Sequence, residues 1–393
     1  MKGLIHIGAP KTGSTALQNA LADSRKRLES HGFLYPEMFM ETLKEKYFKR
    51  HIFNNHANLN GLFANNPESY FLKKGFKTSQ EGEAWLKKQI DYLDAQIAKS
   101  QAHTCIISSE NLIGTKKLDE LHTFLWERFE DLQLLVYVRP PYEAYASSLQ
   151  ERLKNGIPIA KLELPQDYFG HIRGKPDYIK GRLQNYGNKF GFQKLTVVRF
   201  DRNRFPENSI VADFAARFLN HDDHPPLNLP ETTANPSRPA APVIFISILA
   251  NLPELQSNKG KAYLKKLRER LKTFEPSAMF PKFRLSQEWK TLIAHVGLPI
   301  YQWIEDKFWE DDSEVLVDRK YIQMDRPADV SQAEFEDWLL GHLTPEGVQQ
   351  IYQEIFQREI SAAQLEKMLR SPRRVKVVRN CLCETLSADL LRF

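Results

Sequence analysis

The chain has 393 residues, 42% of them hydrophobic and 26% charged. At about 150 residues per domain the length suggests two or three domain-sized units, or one large domain with additions, and this balance excludes a disordered, collagenous or membrane-embedded chain. Lysine and arginine total 55 against 49 acidic residues, and a formal net charge of +6 is too small for a dedicated nucleic-acid binder. The cysteines, Cys105, Cys381 and Cys383, cannot make a disulfide scaffold, and the spacing of the last two does not suit a zinc ribbon. They read as plain thiols. The N-terminal apolar run meets Lys11 too early for a signal-peptide core. The longest largely apolar stretch, Ala240 to Leu252, is too short to span a bilayer. A cytoplasmic location is expected.

Four short runs read as strands: Lys2–Ile7, Thr104–Ser108, Gln133–Val138 and Leu195–Phe200. Each is rich in Ile, Val and Leu without clear alternation, as in strands covered on both faces. After the first, Ala16, Leu17, Ala20, Leu21 and Leu28 recur at helical spacing. Gly32 then supplies a left-handed stop. Met38 to Gln80 is polar, aromatic and irregular. It reads as an excursion beside an active site or as a long surface loop. After the third strand, Tyr142, Tyr145, Leu149 and Leu153 form a helical stripe that ends at Asn155-Gly156. Alternating strands and helices imply an α/β fold with a mainly parallel central sheet flanked by helices. Pro225-Pro226 and the proline-rich stretch Leu229–Pro242 mark a boundary. Residues 1–225 would form the α/β core, and 226–393 a mainly helical extension packed on it. Its helical patterns are Val243–Leu252, Gly260–Thr273, Ser286–Val296, Pro299–Trp309, Gln332–Gly341 and Thr344–Phe356.

Two stretches carry chemistry. Gly8-Ala9-Pro10-Lys11-Thr12-Gly13-Ser14-Thr15 follows a strand and opens a helix, the setting of a phosphate-binding loop. Small residues let backbone N–H groups curl round an anion, and the helix N-terminus adds positive potential. Ser14 and Thr15 add hydroxyls. The pattern approaches GxxxxGK(S/T), but Ser14 stands where that motif has lysine. The lysine sits earlier, at Lys11, placed to touch the group attached to a bound phosphate. The second stretch is Arg139, at the end of the third strand, with Ser147 eight residues on. Together they can grip another phosphate. The pair points to a nucleotide with phosphates at two separate places.

These residues resemble the sulfotransferases that use 3′-phosphoadenosine 5′-phosphosulfate (PAPS). In that family a Pro-Lys-x-Gly-(Ser/Thr)-(Ser/Thr) loop binds the 5′-phosphosulfate; here it reads Pro10-Lys11-Thr12-Gly13-Ser14-Thr15. An Arg and a Ser eight apart bind the 3′-phosphate; here they are Arg139 and Ser147. The resemblance covers roughly residues 1–220 and is closest to the bacterial, carbohydrate-type branch. Asn235 and Ser237 are a weaker echo of a family segment near the nucleotide. The C-terminal Arg-Lys-Gly motif of the cytosolic small-molecule members is missing; Arg373, Arg374 and Lys376 are arranged differently. The resemblance implies a P-loop-type three-layer fold and sulfuryl transfer from PAPS to a hydroxyl or amine. A carbohydrate is the expected acceptor, with a lipid-linked sugar and a small hydroxylated metabolite left open. Adenosine 3′,5′-bisphosphate is the product, and no metal is required. Lys11 would stabilise the departing phosphate.

The base is open. Glu110 follows the strand Thr104–Ser108, where cytosolic members carry a Lys-Thr-His. Ligands of parallel sheets bind beyond such strand ends. His51 and His56, in the irregular region, compete with it. His6, inside the first strand, reads as a packed core residue. Two other readings stand beside the transferase. In a P-loop kinase, Asp201 would hold magnesium at the end of the fourth strand. A non-catalytic relative would bind nucleotide or glycan without chemistry. Nucleic acid is not an expected partner, and no transmembrane segment is expected. Tyr70, Phe71, Trp85, Phe169 and Trp303 can stack on sugars or build cores.

Overall fold

The computed structural model describes residues 1–44, 47–64, 66–110, 112–169, 178–220, 226–230, 240–252, 255, 257–272, 283–309, 315–353, 360–361 and 363–364. In chain order the strands are β1 (Lys2–His6), β2 (Phe33–Leu34), β3 (Met38–Lys44), β4 (Tyr47–Phe53), β5 (Thr104–Ser108), β6 (Asp131–Val138) and β7 (Leu195–Arg199). The helices are α1 (Ser14–Asp23), α2 (Arg25–Ser30), α3 (Pro67–Lys74), α4 (Ser79–Lys99), α5 (Leu118–Trp126), α6 (Pro141–Lys154) and α7 (Tyr178–Phe190). After them come α8 (Ile210–Phe214), α9 (Ala240–Leu249), α10 (Asn258–Lys272), α11 (Gln287–Phe308), α12 (Arg319–Ile322), α13 (Gln332–Leu340) and α14 (Pro345–Ile351).

Packing divides the chain into two units. The first holds Met1–Pro140, Tyr178–Asn235 and Ile300–Leu316; the second holds Pro141–Asp177, Pro236–Pro299 and Val317–Phe393. They interleave in sequence rather than meeting at a single cut near 225.

The first unit is an α/β fold. Its sheet has five parallel strands in the order β2-β5-β1-β6-β7. Leu4, Ile106, Leu135, Tyr137 and Val198 share a core with Leu17, Leu21, Leu28 and Phe214 of α1, α2 and α8. Side chains alternate along a strand, so Ile5, Ile107 and Val136 serve the other face. All three are fully buried. Helices α5 and α7 pack against β6 and β7. Residues covered on both faces account for the unbroken apolar runs read in the sequence.

The stretch 38–80 differs from its irregular reading. It contains an antiparallel hairpin, β3 with β4, running from Met38↔Phe53 to Lys44↔Tyr47. Helix α3 follows, capped by Asn66, whose side chain accepts from the Ser69 amide at 2.9 Å. Gly75 closes α3 at φ 94. Thr78 caps the 21-residue α4. Phe71, Trp85 and Leu86 then form a small core of their own, so these aromatics are structural.

The helical stripe after β1 is split at Ser24 into α1 and α2. The two helices expected around Pro299 are instead one, α11, with the proline inside it. A proline interior to a helix costs about 3 kcal/mol. Leu292, Ile293 and Ala294 before it, and Ile300, Tyr301 and Ile304 after it, are all buried. A buried aliphatic side chain is worth about 1.5–3 kcal/mol, so several of them outweigh the break.

In the second unit all ten residues of α9 are buried. It packs against α6, α10 and α14. Its Ser247 hydroxyl donates to the Ile157 carbonyl at 2.6 Å, just beyond the end of α6. Among the described residues, no helix is long and apolar enough to cross a membrane.

Candidate functional site

Strand β1 delivers the chain to Gly8 at the carboxyl edge of the sheet. The φ angle is positive at Gly8 (63°), Lys11 (66°) and Gly13 (77°). Proline holds φ near −65°, so Pro10-Lys11 and Thr12-Gly13 each alternate in sign. Such alternation curls successive N–H groups toward one point and makes an anion-binding concavity. A lysine held at positive φ costs about 1–2 kcal/mol, a strain that the surrounding structure must over-determine. Thr12 helps, its hydroxyl donating to the Ala9 carbonyl at 2.7 Å.

Helix α1 begins at once. Its N-cap, Gly13, offers no side chain, and its first turn carries no acidic residue. The positive end of the helix is therefore not neutralised from within. Ser14 is 3% exposed, and its hydroxyl has no hydrogen-bond partner. Pro10, Lys11 and Thr15 are exposed.

Both glycines are pinned. A Cβ on Gly8 would lie 2.5 Å from Cα of Glu110, and one on Gly13 would lie 3.2 Å from Ile210. Register explains the first contact. His6 of β1 pairs with Ser108 of β5, so the residues after each strand run side by side. The Ser109 amide donates to the His6 carbonyl at 3.0 Å, and that of Ile113 to Ile7 at 3.0 Å. Glu110 is thereby held beside the loop, half-buried.

On the other flank, β6 ends at Arg139. Its guanidinium donates from Nε to the Lys11 carbonyl and lies 4.3 Å over the Phe200 ring. The two stretches singled out in the sequence therefore meet at Arg139 and Lys11.

A buried polar layer lies behind the loop. His6 Nδ1 is 2.8 Å from the Ser108 hydroxyl, which also accepts from Gln18 Nε2 at 3.1 Å. The Ser108 amide donates to His56 Nδ1 at 3.0 Å. His56 Nε2–H in turn donates to the Pro36 carbonyl at 3.0 Å. Desolvation lowers both imidazoles from 6.5 to about 4. His56 is thus neutral, with both nitrogens engaged by backbone. No lone pair remains for a substrate proton, so His56 is not placed to act as a base. The sequence singled it out as a loop histidine, whereas the fold closes Tyr35 edge-on against it at 4.8 Å. His6 is buried, as expected of a strand residue.

The structure thus gathers Pro10, Lys11, Thr12, Gly13, Ser14, Thr15, Glu110 and Arg139 at one sheet edge. Ser147 lies on α6, in the second unit. His51 lies on β4, opposite Met40; its side chain is outside the described residues, as are Asn235, Ser237, Arg373, Arg374 and Lys376. Asp201 does not stand open to a metal. It pairs with Arg199 at 2.9 Å and accepts from the Asn203 amide at 3.1 Å. Gln18 and Ser108 were missed by the sequence reading. The one available signal for Gln18 was a polar residue on the apolar face of α1. Among the described residues, no cluster of His, Cys, Asp or Glu could hold a metal ion. No protein-family model, curated protein or solved structure matches the chain.

Proposed function

We propose that the chain is a sulfotransferase that moves a sulfuryl group from PAPS to a hydroxyl or amine of a carbohydrate acceptor. The observation that carries this reading is the junction of the two anion-binding stretches, where Arg139 donates to the carbonyl of Lys11. A nucleotide with phosphates at both ends of its ribose needs two such sites within reach of one another. The residues suit the ligand. The buried hydroxyl of Ser14 lacks a partner, and a phosphate oxygen at the α1 N-terminus would supply one. Bound there, PAPS supplies an activated sulfuryl group and a phosphate leaving group.

The residues of the chain divide the work. The loop 8–13 and the first turn of α1 hold and orient the 5′-phosphate through backbone N–H groups. Lys11 places a positive charge where negative charge develops on the departing oxygen, which is where electrostatic stabilisation counts most. Arg139, at the end of β6, takes the 3′-phosphate. Glu110, beside Gly8, accepts the proton of the acceptor hydroxyl as the oxygen attacks. A kinase is less well supported, because its magnesium-holding aspartate would be Asp201, already paired with Arg199.

Incubation with PAPS radiolabelled in the sulfuryl group, across a panel of oligosaccharides, tests the reading. Label should enter a saccharide fraction. Lys11→Ala should abolish transfer, and Glu110→Gln should lower it at least about a hundredfold. A Glu110→Gln protein that keeps most activity would exclude Glu110 as the base.

A further inference from the structure

A single helix carries the whole charge excess of the chain. Helix α10, NKGKAYLKKLRERLK, has seven basic residues and one acidic residue. Taking these from the 55 and 49 of the chain leaves 48 of each, so the remainder is neutral. The apolar side of α10 faces the interior: Tyr263, Leu264 and Leu267 are buried, and the helix packs on α9. Lys261, Lys265 and Lys266 are exposed. Helical register sets positions 261, 265, 268 and 272 in one row, and all four are basic. Like charges at these spacings repel. Such a row is relieved by a polymer of opposite charge.

We propose that α10 docks an extended acidic polysaccharide, one with a carboxylate or sulfate on each sugar ring. Three features select this occupant. The row advances three or four residues per charge, about 4.5–6 Å at the helical rise. Duplex DNA presents a charge about every 1.7 Å, a far denser array; one acidic group per ring is spaced more widely. Single strands bind by stacking bases on aromatic rings, and the lone aromatic of α10, Tyr263, is buried. A helix that lies on a membrane gives its apolar face to lipid, whereas that of α10 is covered by protein. Docking on α10 does not depend on sulfuryl transfer at the loop.

The test uses the full chain with polygalacturonate, duplex DNA and vesicles of phosphatidylglycerol, compared at equal charge concentration. The wild type should prefer polygalacturonate, and its binding should weaken as salt rises. The variant K261Q/K265Q/R268Q/K272Q should bind at least about tenfold more weakly while keeping its melting temperature. Equal binding by that variant, salt-insensitive binding, or a preference for DNA or vesicles overturns the proposal. Should the variant not fold, the salt dependence and polymer ranking of the wild type still decide. The response of the same samples to adenosine 3′,5′-bisphosphate reads the transferase proposal separately.

Discussion

Ser14 separates stability from binding most cleanly. Its hydroxyl is buried without a partner in the protein. Removing an unsatisfied polar group does not lose a hydrogen bond, so Ser14→Ala should leave unfolding free energy unchanged or slightly raised. The same change should weaken adenosine 3′,5′-bisphosphate about tenfold, about 1.4 kcal/mol, by titration calorimetry. A stability loss with unchanged affinity would show that the hydroxyl serves the core. His6 and His56 make a second case. Burial lowers both from 6.5 to about 4. Between those values the unfolded chain binds more protons than the folded one. The stabilising effect of keeping these rings neutral is therefore complete above about pH 6.5 and is lost as pH falls toward 4, at about 3 kcal/mol for each ring. Urea unfolding followed from about pH 7 down to pH 4.5 should show a steady fall in midpoint. A flat profile would contradict the buried, neutral assignment.

At the scale of elements, the sheet edge explains what was legible. Strands β1, β5, β6 and β7 were readable because residues buried on both faces leave unbroken apolar runs. The turn into α1 was readable because small residues between a strand and a helix start signal a tight turn, and Gly8 and Gly13 do take positive φ. Two things were not readable. The hairpin β3–β4 is rich in Lys, Arg and aromatics, which resembles loop composition. The continuity of α11 through Pro299 depends on burial on both sides, which is a tertiary effect. Its end also closes the open edge of β7, where the Trp309 indole donates to the Val197 carbonyl at 3.1 Å. An edge strand left uncovered invites pairing with another chain. Trp309→Phe should keep most of the ring packing and lose the hydrogen bond, lowering stability by about 1 kcal/mol in urea unfolding. No change would mean that the bond contributes nothing to closing the edge.

At the scale of the molecule, the chain forms two units whose segments alternate in sequence. The first brings together a strained loop, an uncapped helix and an arginine from the neighbouring strand. The second holds the helix that carries all the net charge. The +6 read at the outset is thus a property of α10 and not of the sheet edge, where Arg139 meets the Lys11 carbonyl. The transferase proposal requires the loop to be a site for a nucleotide with two separate phosphates. Thermal unfolding with adenosine 3′,5′-bisphosphate, in chelator and without added metal, tests this most directly. At one hundred times its dissociation constant a ligand of the folded state adds about 2.7 kcal/mol. The melting temperature should rise clearly with the bisphosphate and less with adenosine 5′-phosphate, and Arg139→Ala should lose the difference. An unchanged melting temperature at saturating bisphosphate would contradict the transferase proposal.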